Sequence, residues 1–254
     1  VSLLPGVTEI VAMLGLGDVL VGVSPHCDRP GFVEELPRVA VLPVDYEALI
    51  ALEPDLILTD RTLHGGEVLE MRRRGFAVLP LESSRSLGHL ATSVDLLAQL
   101  WGTAEALATA REFREDLLAA ERAAAPTADE RPSRVLLVAG TDPLYALGPG
   151  SLLDDMVRAC GGINLACDLG RASGPFASEL VPERQADWIL YSGGGFPEIL
   201  RQRWATVPAV RADRIASVEG DAFVRAGPGT PDALRRLARV LHGEVPPNLL
   251  GDGR

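Results

Sequence analysis

One stretch constrains everything around it. From Leu87 to about Ala125 the chain is rich in Ala, Leu, Glu and Arg, and Gly88 and Gly102 are its only helix breakers. Thr103 stands where an N-cap belongs, and Glu105 falls in the first turn, where a carboxylate suits the positive end of a helix. At 1.5 Å rise per residue a helix from Thr103 to Ala125 runs ~34 Å, long enough to pass from one domain to another. Pro126 and Pro132 bracket a polar segment that ends it. The predicted organisation is an N-terminal lobe over 1–102, a linking helix over 103–125 and a C-terminal lobe over 126–254.

On both sides of that helix short apolar runs alternate with helical patterns. Val1–Leu4, Val19–Ser24, Leu56–Leu58 and Phe76–Leu81 read as strands, with helices predicted over Thr8–Leu16, Tyr46–Leu52 and Glu67–Arg74. The pattern restarts with strands at Val135–Val138, Trp188–Tyr191 and Ile215–Val218, and helices at Ser151–Cys160 and Pro231–Leu241. Such alternation predicts α/β lobes with mainly parallel sheets. The fold class expected is α/β, two Rossmann-like lobes with central, mainly parallel sheets joined by one long rigid α-helix. Glu47–Leu58 and Glu179–Leu190 echo one another: a short helix, an Asp (Asp55, Asp187), then an apolar strand. Two lobes and one connector imply a cleft, a preferred place for a ligand, and a packed helical connector predicts limited closure.

Composition narrows the function classes. The 254 residues carry 35 acids against 24 basic residues, a net charge of −11, which argues against a nucleic-acid partner. Every basic residue is Arg, so a Schiff-base lysine is excluded and the Gly-Lys-Ser/Thr phosphate loop is absent. Cys27, Cys160 and Cys167 are too few for a disulfide framework, and buried free thiols are expected. No apolar run approaches the ~20 residues that span a bilayer. The chain opens on Val1, so residues upstream of it are expected.

In parallel α/β layers ligands bind beyond the carboxyl ends of strands. That rule selects the turns at Pro5–Thr8, Ser24–Cys27, Asp60–Thr62, Thr141–Tyr145 and Asp221–Arg225. Gly6 would let a ligand approach the backbone closely, and a helix starting near Thr8 would offer free N–H groups. Phe176, on a Gly/Pro loop, is either a stacking face or a core anchor. Phe223, between Asp221 and Arg225, faces either ligand or core. The run His26-Cys27-Asp28 offers metal-binding side chains, His26 as an axial ligand to a chelated metal. Adjacent residues seldom ligate one ion, so a polar turn over a buried thiol is the alternative and no metal site is assigned.

Several pieces are similar to a known family. Val1–Gly17, with its Leu-Leu-Pro-Gly-Val-Thr-Glu core, resembles the opening of the cobalamin-binding branch of the periplasmic solute-binding proteins. Gly22–Pro30, Leu49–Ile57, Gly161–Asn164 and Asp221–Arg225 resemble its later signatures, in order and over nearly the whole chain. The wider family takes cobalamin, ferric siderophores, haem and some metal ions. The resemblance implies a non-enzymatic, monomeric, periplasmic or otherwise extracytoplasmic protein, at most peripheral to the membrane and lipid-anchored in some relatives. It implies no cofactor beyond the ligand, and it implies an ABC importer whose transmembrane subunits receive that ligand.

It also implies roles. Asp221 and Arg225 match ligand-contacting positions, with Pro5, Gly6, His26, Phe176 and Phe223 completing the predicted binding set. Glu67 or Glu70 and, in the second lobe, Glu198 match the acids that dock on transporter arginines. The chain departs from the pattern where Asp60-Arg61 replaces an aromatic after the third strand and His26 replaces one in the second signature. A more polar site results, and a siderophore or haem is the alternative ligand. A chelatase-like tetrapyrrole enzyme and an intracellular corrinoid-binding protein are the readings from other classes.

Overall fold

The computed structural model describes residues 1–127, 131–192, 196–218, 223, 225–244 and 250. It divides into two compact units. The first holds Val1–Ser84, Gly88–Glu115 and Arg225–Pro228, and the second Arg85–Leu87, Asp116–Val224 and Gly229–Arg254.

The first unit begins with α1 (Pro5–Met13), followed by α2 (Tyr46–Leu52), β1 (Ile57–Asp60), α3 (Arg61–Arg73), β2 (Val78–Leu81) and α4 (Leu87–Trp101). β1 and β2 pair in parallel, Ile57 opposite Val78 through Asp60 opposite Leu81. The predicted strands at 1–4 and 19–24 shrink to single parallel bridges, Ser2 to Val23 and Ser2 to Leu58, with Val23 bridging Arg38 in turn. The parallel order survives, but each segment contributes one rung and then turns away. Val1, Leu3, Val41, Leu49, Ile57 and Met71 form the core here.

α1 starts three residues earlier than expected. Pro5 takes the first helical position, where its fixed φ helps and its missing N–H costs nothing. α3 also starts early. Asp60, the last residue of β1, accepts a 2.8 Å bond from Thr62 N and caps a helix that runs through Gly65 and Gly66, with non-helical angles at His64.

The long helical stretch is two helices. Gly102, at φ +68°, ends α4 in the left-handed region glycine tolerates, and Thr103 Oγ1 accepts from Ala106 N at 3.1 Å to cap α5 (Ala104–Ala124). Residues of α5 up to Glu115 belong to the first unit, and those from Asp116 to the second.

The second unit contains β3 (Arg134–Thr141), β4 (Leu144–Leu147), α6 (Leu152–Ala159), β5 (Ile163–Asn164), β6 (Ser173–Pro175), α7 (Leu180–Arg184), β7 (Trp188–Tyr191), α8 (Glu198–Arg203) and β8 (Ile215–Ser217). The sheet order is β6-β4-β3-β7-β8, with β5 also paired to β3. β5, β7 and β8 join in parallel; β4 and β6, which the apolar pattern did not reveal, add an antiparallel edge. The described sheet is therefore a parallel core with an antiparallel margin, a common mixed arrangement. Ser151, read from the sequence as the first residue of a helix, is the N-cap of α6, and the final described helix, Thr230–Leu241, begins after Gly229.

The internal echo is geometric as well as sequential. α2 ends at Glu53 (φ +42°) and α7 at Gln185 (φ +53°), each a non-glycine residue in the left-handed region, each two residues before its Asp. Among the described residues no helix is long and apolar enough to cross a membrane.

Candidate functional site

The site is built on the first unit, where α1, the turn at 24–28 and the segment 225–228 come together. At its base lies a buried polar cluster. Thr8 Oγ1 is 2.8 Å from Ser2 Oγ, 3.0 Å from Leu4 O and 3.2 Å from Cys27 Sγ, which is also 3.2 Å from Ser24 Oγ. The thiol acts here as a small buried group shared by two hydroxyls. Cys27 N donates to Ser24 O at 3.1 Å, closing the turn, while Arg38 Nη1 donates to Cys27 O (2.6 Å) and Ser24 O (3.3 Å).

Above this base Arg225 meets two acids. Its Nη1 lies 2.5 Å from Asp28 Oδ1 and 3.4 Å from Glu9 Oε1, and its Nη2 reaches Asp28 Oδ2 at 3.4 Å and His26 O at 3.5 Å. Arg225 and Glu9 are mostly buried, whereas Asp28 is 57% exposed. Their titrations diverge accordingly. Burial raises the Glu9 carboxyl above its ordinary 4.5, against the pull of Arg225, while the bond to Arg225 holds Asp28 below its ordinary 3.8.

Gly6 has a reason the sequence did not suggest. A Cβ there would stand 2.4 Å from Ala226 O. The chain's own segment lies beside Gly6, so glycine is what allows 225–228 to lie against the start of α1.

Of the predicted binding residues, Pro5, Gly6, His26 and Arg225 gather in this unit, with His26 exposed. Asp221 lies outside the described residues. Phe176 and Phe223 are core residues of the second unit: Phe176 packs among Leu144, Val181 and Ile189, and Phe223 is 2% exposed beneath the guanidinium of Arg236. Of the two readings its Gly/Pro loop allowed, Phe176 is the core anchor, and its backbone N donates to Leu144 O. Tyr145, on β4, is the exposed aromatic of that region.

Glu9, the second acid on Arg225, is the charged residue of this cluster that sequence reading missed. It sits between buried Thr8 and Ile10 in an apolar helix, and that isolation was the available signal. Asp60 is also reassigned: it is buried and takes bonds from Thr62 N, Ser83 Oγ, Ser84 N and Ser84 Oγ at 2.8–3.2 Å, which makes it a structural acid. His64 is buried, its Nδ1 2.6 Å from Thr59 Oγ1. Among the described residues no three His, Cys, Asp or Glu side chains gather as ligands for an ion.

The three acids expected to dock a transporter differ in freedom. Glu67 accepts from Tyr46 OH at 2.8 Å, and Glu70 pairs with Arg74 at 2.9 Å along α3. Glu198, the first residue of α8, is exposed.

The family model described as periplasmic binding protein matches residues 1–222. An uncharacterised ABC transporter substrate-binding lipoprotein of Bacillus subtilis, YvrC, is 25% identical over 96% of this chain and 80% of its own length. Among solved structures, the periplasmic vitamin B12-binding protein BtuF of Vibrio cholerae superposes with a TM-score of 0.82 at 27% identity, covering 95% of each chain. The periplasmic haem-binding protein RhuT of Roseiflexus sp. RS-1 superposes with a TM-score of 0.77 at 27% identity, covering 93% of this chain and 95% of its own.

Proposed function

The chain belongs to the periplasmic binding protein family, the extracytoplasmic substrate-binding components of ABC transporters rather than enzymes, and on that premise we propose that it captures a corrinoid for import. The observation that carries the proposal is the surface formed by the start of α1, the 24–28 turn and Arg225. It sets a forked donor and two carboxylates together, against the backbone of the turn that carries the exposed His26. A corrin ringed with amide arms needs donors and acceptors in such proximity, and the likeness to the vitamin B12-binding protein of Vibrio cholerae supports that ligand. Pro5 and His26 line this surface, and Arg225 holds its shape while presenting its edge to the ligand.

Haem is the second reading. The Roseiflexus haem-binding protein is as similar in sequence, and an exposed imidazole suits iron as well as cobalt. For delivery, Glu198 and either Glu67 or Glu70 are the proposed contacts with arginines of the importer. Glu198 is the best placed, because exposed acids gain little from surface pairing and lose little on changing partner.

Calorimetric titration with cyanocobalamin and, separately, ferric haem tests the proposal. Saturable corrinoid binding that weakens in Arg225→Ala supports it. Haem binding alone transfers the role to the second reading, and binding of neither overturns both.

A further inference from the structure

We propose that the start of α3 is an acid-sensitive hinge: a proton taken up by buried His64 opens the helix between Arg61 and Gly66 while the rest of the first unit stays folded. The inference goes beyond the ligand reading and does not depend on it.

His64 is the buried residue of an exposed turn. It is 0% exposed, whereas Arg61, Thr62, Gly65 and Gly66 lie open to solvent. Its Nδ1 stands 2.6 Å from Thr59 Oγ1 on β1, and its Nε2 is enclosed with no hydrogen-bond partner among the described residues. The neutral ring tolerates this. With its one proton on Nδ1 it donates to Thr59, and Nε2 keeps only a lone pair. The charged ring carries protons on both nitrogens, and the second finds no acceptor in bonding geometry. A charge buried without a partner is the costly case.

Three groups act against that cost. Asp60 at the end of β1, Glu67 on α3 and the Val41 carbonyl before α2 each favour the proton, yet burial outweighs them and holds the imidazole below its ordinary 6.5. Both acids are already engaged. Asp60 takes four hydrogen bonds, from Thr62, Ser83 and Ser84, and Glu67 takes one from Tyr46 OH on α2.

The backbone is weakest at the same place. His64 departs from helical angles (φ −114°, ψ 22°), and the two residues after it are glycines at which an added Cβ would meet nothing within 4 Å. Glycine weakens a helix interior. Farther along, Val68 and Met71 sit in the core and Arg72 Nη2 donates to Val78 O at 3.0 Å, which anchors the body of α3. Unwinding 61–66 therefore exposes the imidazole at the least loss of packing, as a local opening short of global unfolding. A histidine held neutral in the closed form takes its proton first in the open one. Acidification below the ordinary 6.5 thus favours opening by up to ~tenfold per pH unit, until the closed form also titrates. Because α3 carries Glu67 and Glu70, acid also changes the footing of the acids proposed to meet the importer.

Amide exchange and the ring C–H resonances of His64 are followed by NMR from about pH 7.5 to about pH 5.5, the range in which histidine switches. Wild type is compared with His64→Gln, which keeps a polar side chain without a titrating group. His64 should titrate below 6.5. Protection of amides 65–68, which in a helix bond back to the first turn, should fall in wild type by up to ~tenfold per pH unit after correction for intrinsic exchange. It should stay level in His64→Gln, and in β7 of the second unit in both proteins. Titration at 6.5 or above, level protection in wild type, or a fall that persists in His64→Gln or appears equally in β7 overturns the inference. If His64→Gln does not fold, the wild-type titration and exchange decide alone, by the same outcomes.

Discussion

The two units solve the problem of burial differently. The second rests on a broad sheet and large apolar side chains: Trp204, fully buried, packs 5.8 Å from Phe196 in the same core as Phe176, Leu136 and Ile189. The first has one two-stranded sheet and three isolated parallel bridges, and it buries Ser2, Thr8, Ser24, Thr59, Asp60, His64, Ser83 and Ser93. Buried polar groups are costly unless satisfied, and satisfied ones fix a backbone in one arrangement. The unit with less sheet thereby fixes the turn that carries His26 and the Arg225 guanidinium beside it. Packing sets stability in one unit, and hydrogen bonding sets shape in the other.

Substitutions can break that contrast. The largest effect is expected at Trp204. Its replacement by Ala leaves a cavity and frees Ser178 Oγ from the indole N–H, so urea unfolding should show a loss of about 3–5 kcal/mol. Asp60→Ala removes the acceptor of four hydrogen bonds within the first unit and should cost about 2–3 kcal/mol. A loss at Asp60 well below 1 kcal/mol, an order-of-magnitude bound for a surface pair, would contradict the polar account of that unit.

Gly6→Ala comes next. The added methyl meets the Ala226 carbonyl, a backbone atom that cannot swing aside, and overpacking of this kind costs about 1–3 kcal/mol. Its sharper signature is displacement of Arg225, so corrinoid affinity should fall with stability, whereas Trp204→Ala should leave affinity of the folded fraction unchanged.

The smallest effect is the response to pH, and its sign differs between the units. In the second, the guanidinium of Arg184 holds Asp168 down to about 2 from an ordinary 3.8. A depressed carboxyl stabilises above its unfolded value, so that contribution is lost as pH falls from about 4 to about 2. In the first, burial raises Glu9 above 4.5, so its contribution is present below that value and is lost as pH rises through its folded pKa. Thermal melts across that range should show Asp168→Asn flattening the acid limb and Glu9→Gln flattening the limb above pH 4.5.

Much of the fold was legible because it rests on local rules. Gly102 and Thr103 fixed the helix break and its cap, Ser151 fixed the start of α6, and Asp55 and Asp187 marked matching helix-to-strand joints. What escaped rests on contacts distant in sequence. Ser2 and Val23 are isolated bridging residues, which the apolar runs around them overstate as whole strands. β4 and β6 are short and pair antiparallel through Tyr145 opposite Pro175, a register no run of apolar residues announces. At the site, Gly6 was legible as a point of close approach, but what approaches it comes from residue 226. Arg225 was legible as a donor, and its partnership with Glu9, 216 positions away, was not.

The central claim is that the ligand-binding surface lies on α1, the 24–28 turn and Arg225 of the first unit. Hydrogen–deuterium exchange with and without cyanocobalamin tests it most directly. The account predicts ligand-dependent protection of peptides covering residues 4–9, 24–28 and 225–228. Saturating binding that leaves all three peptides unchanged while protecting others would contradict it.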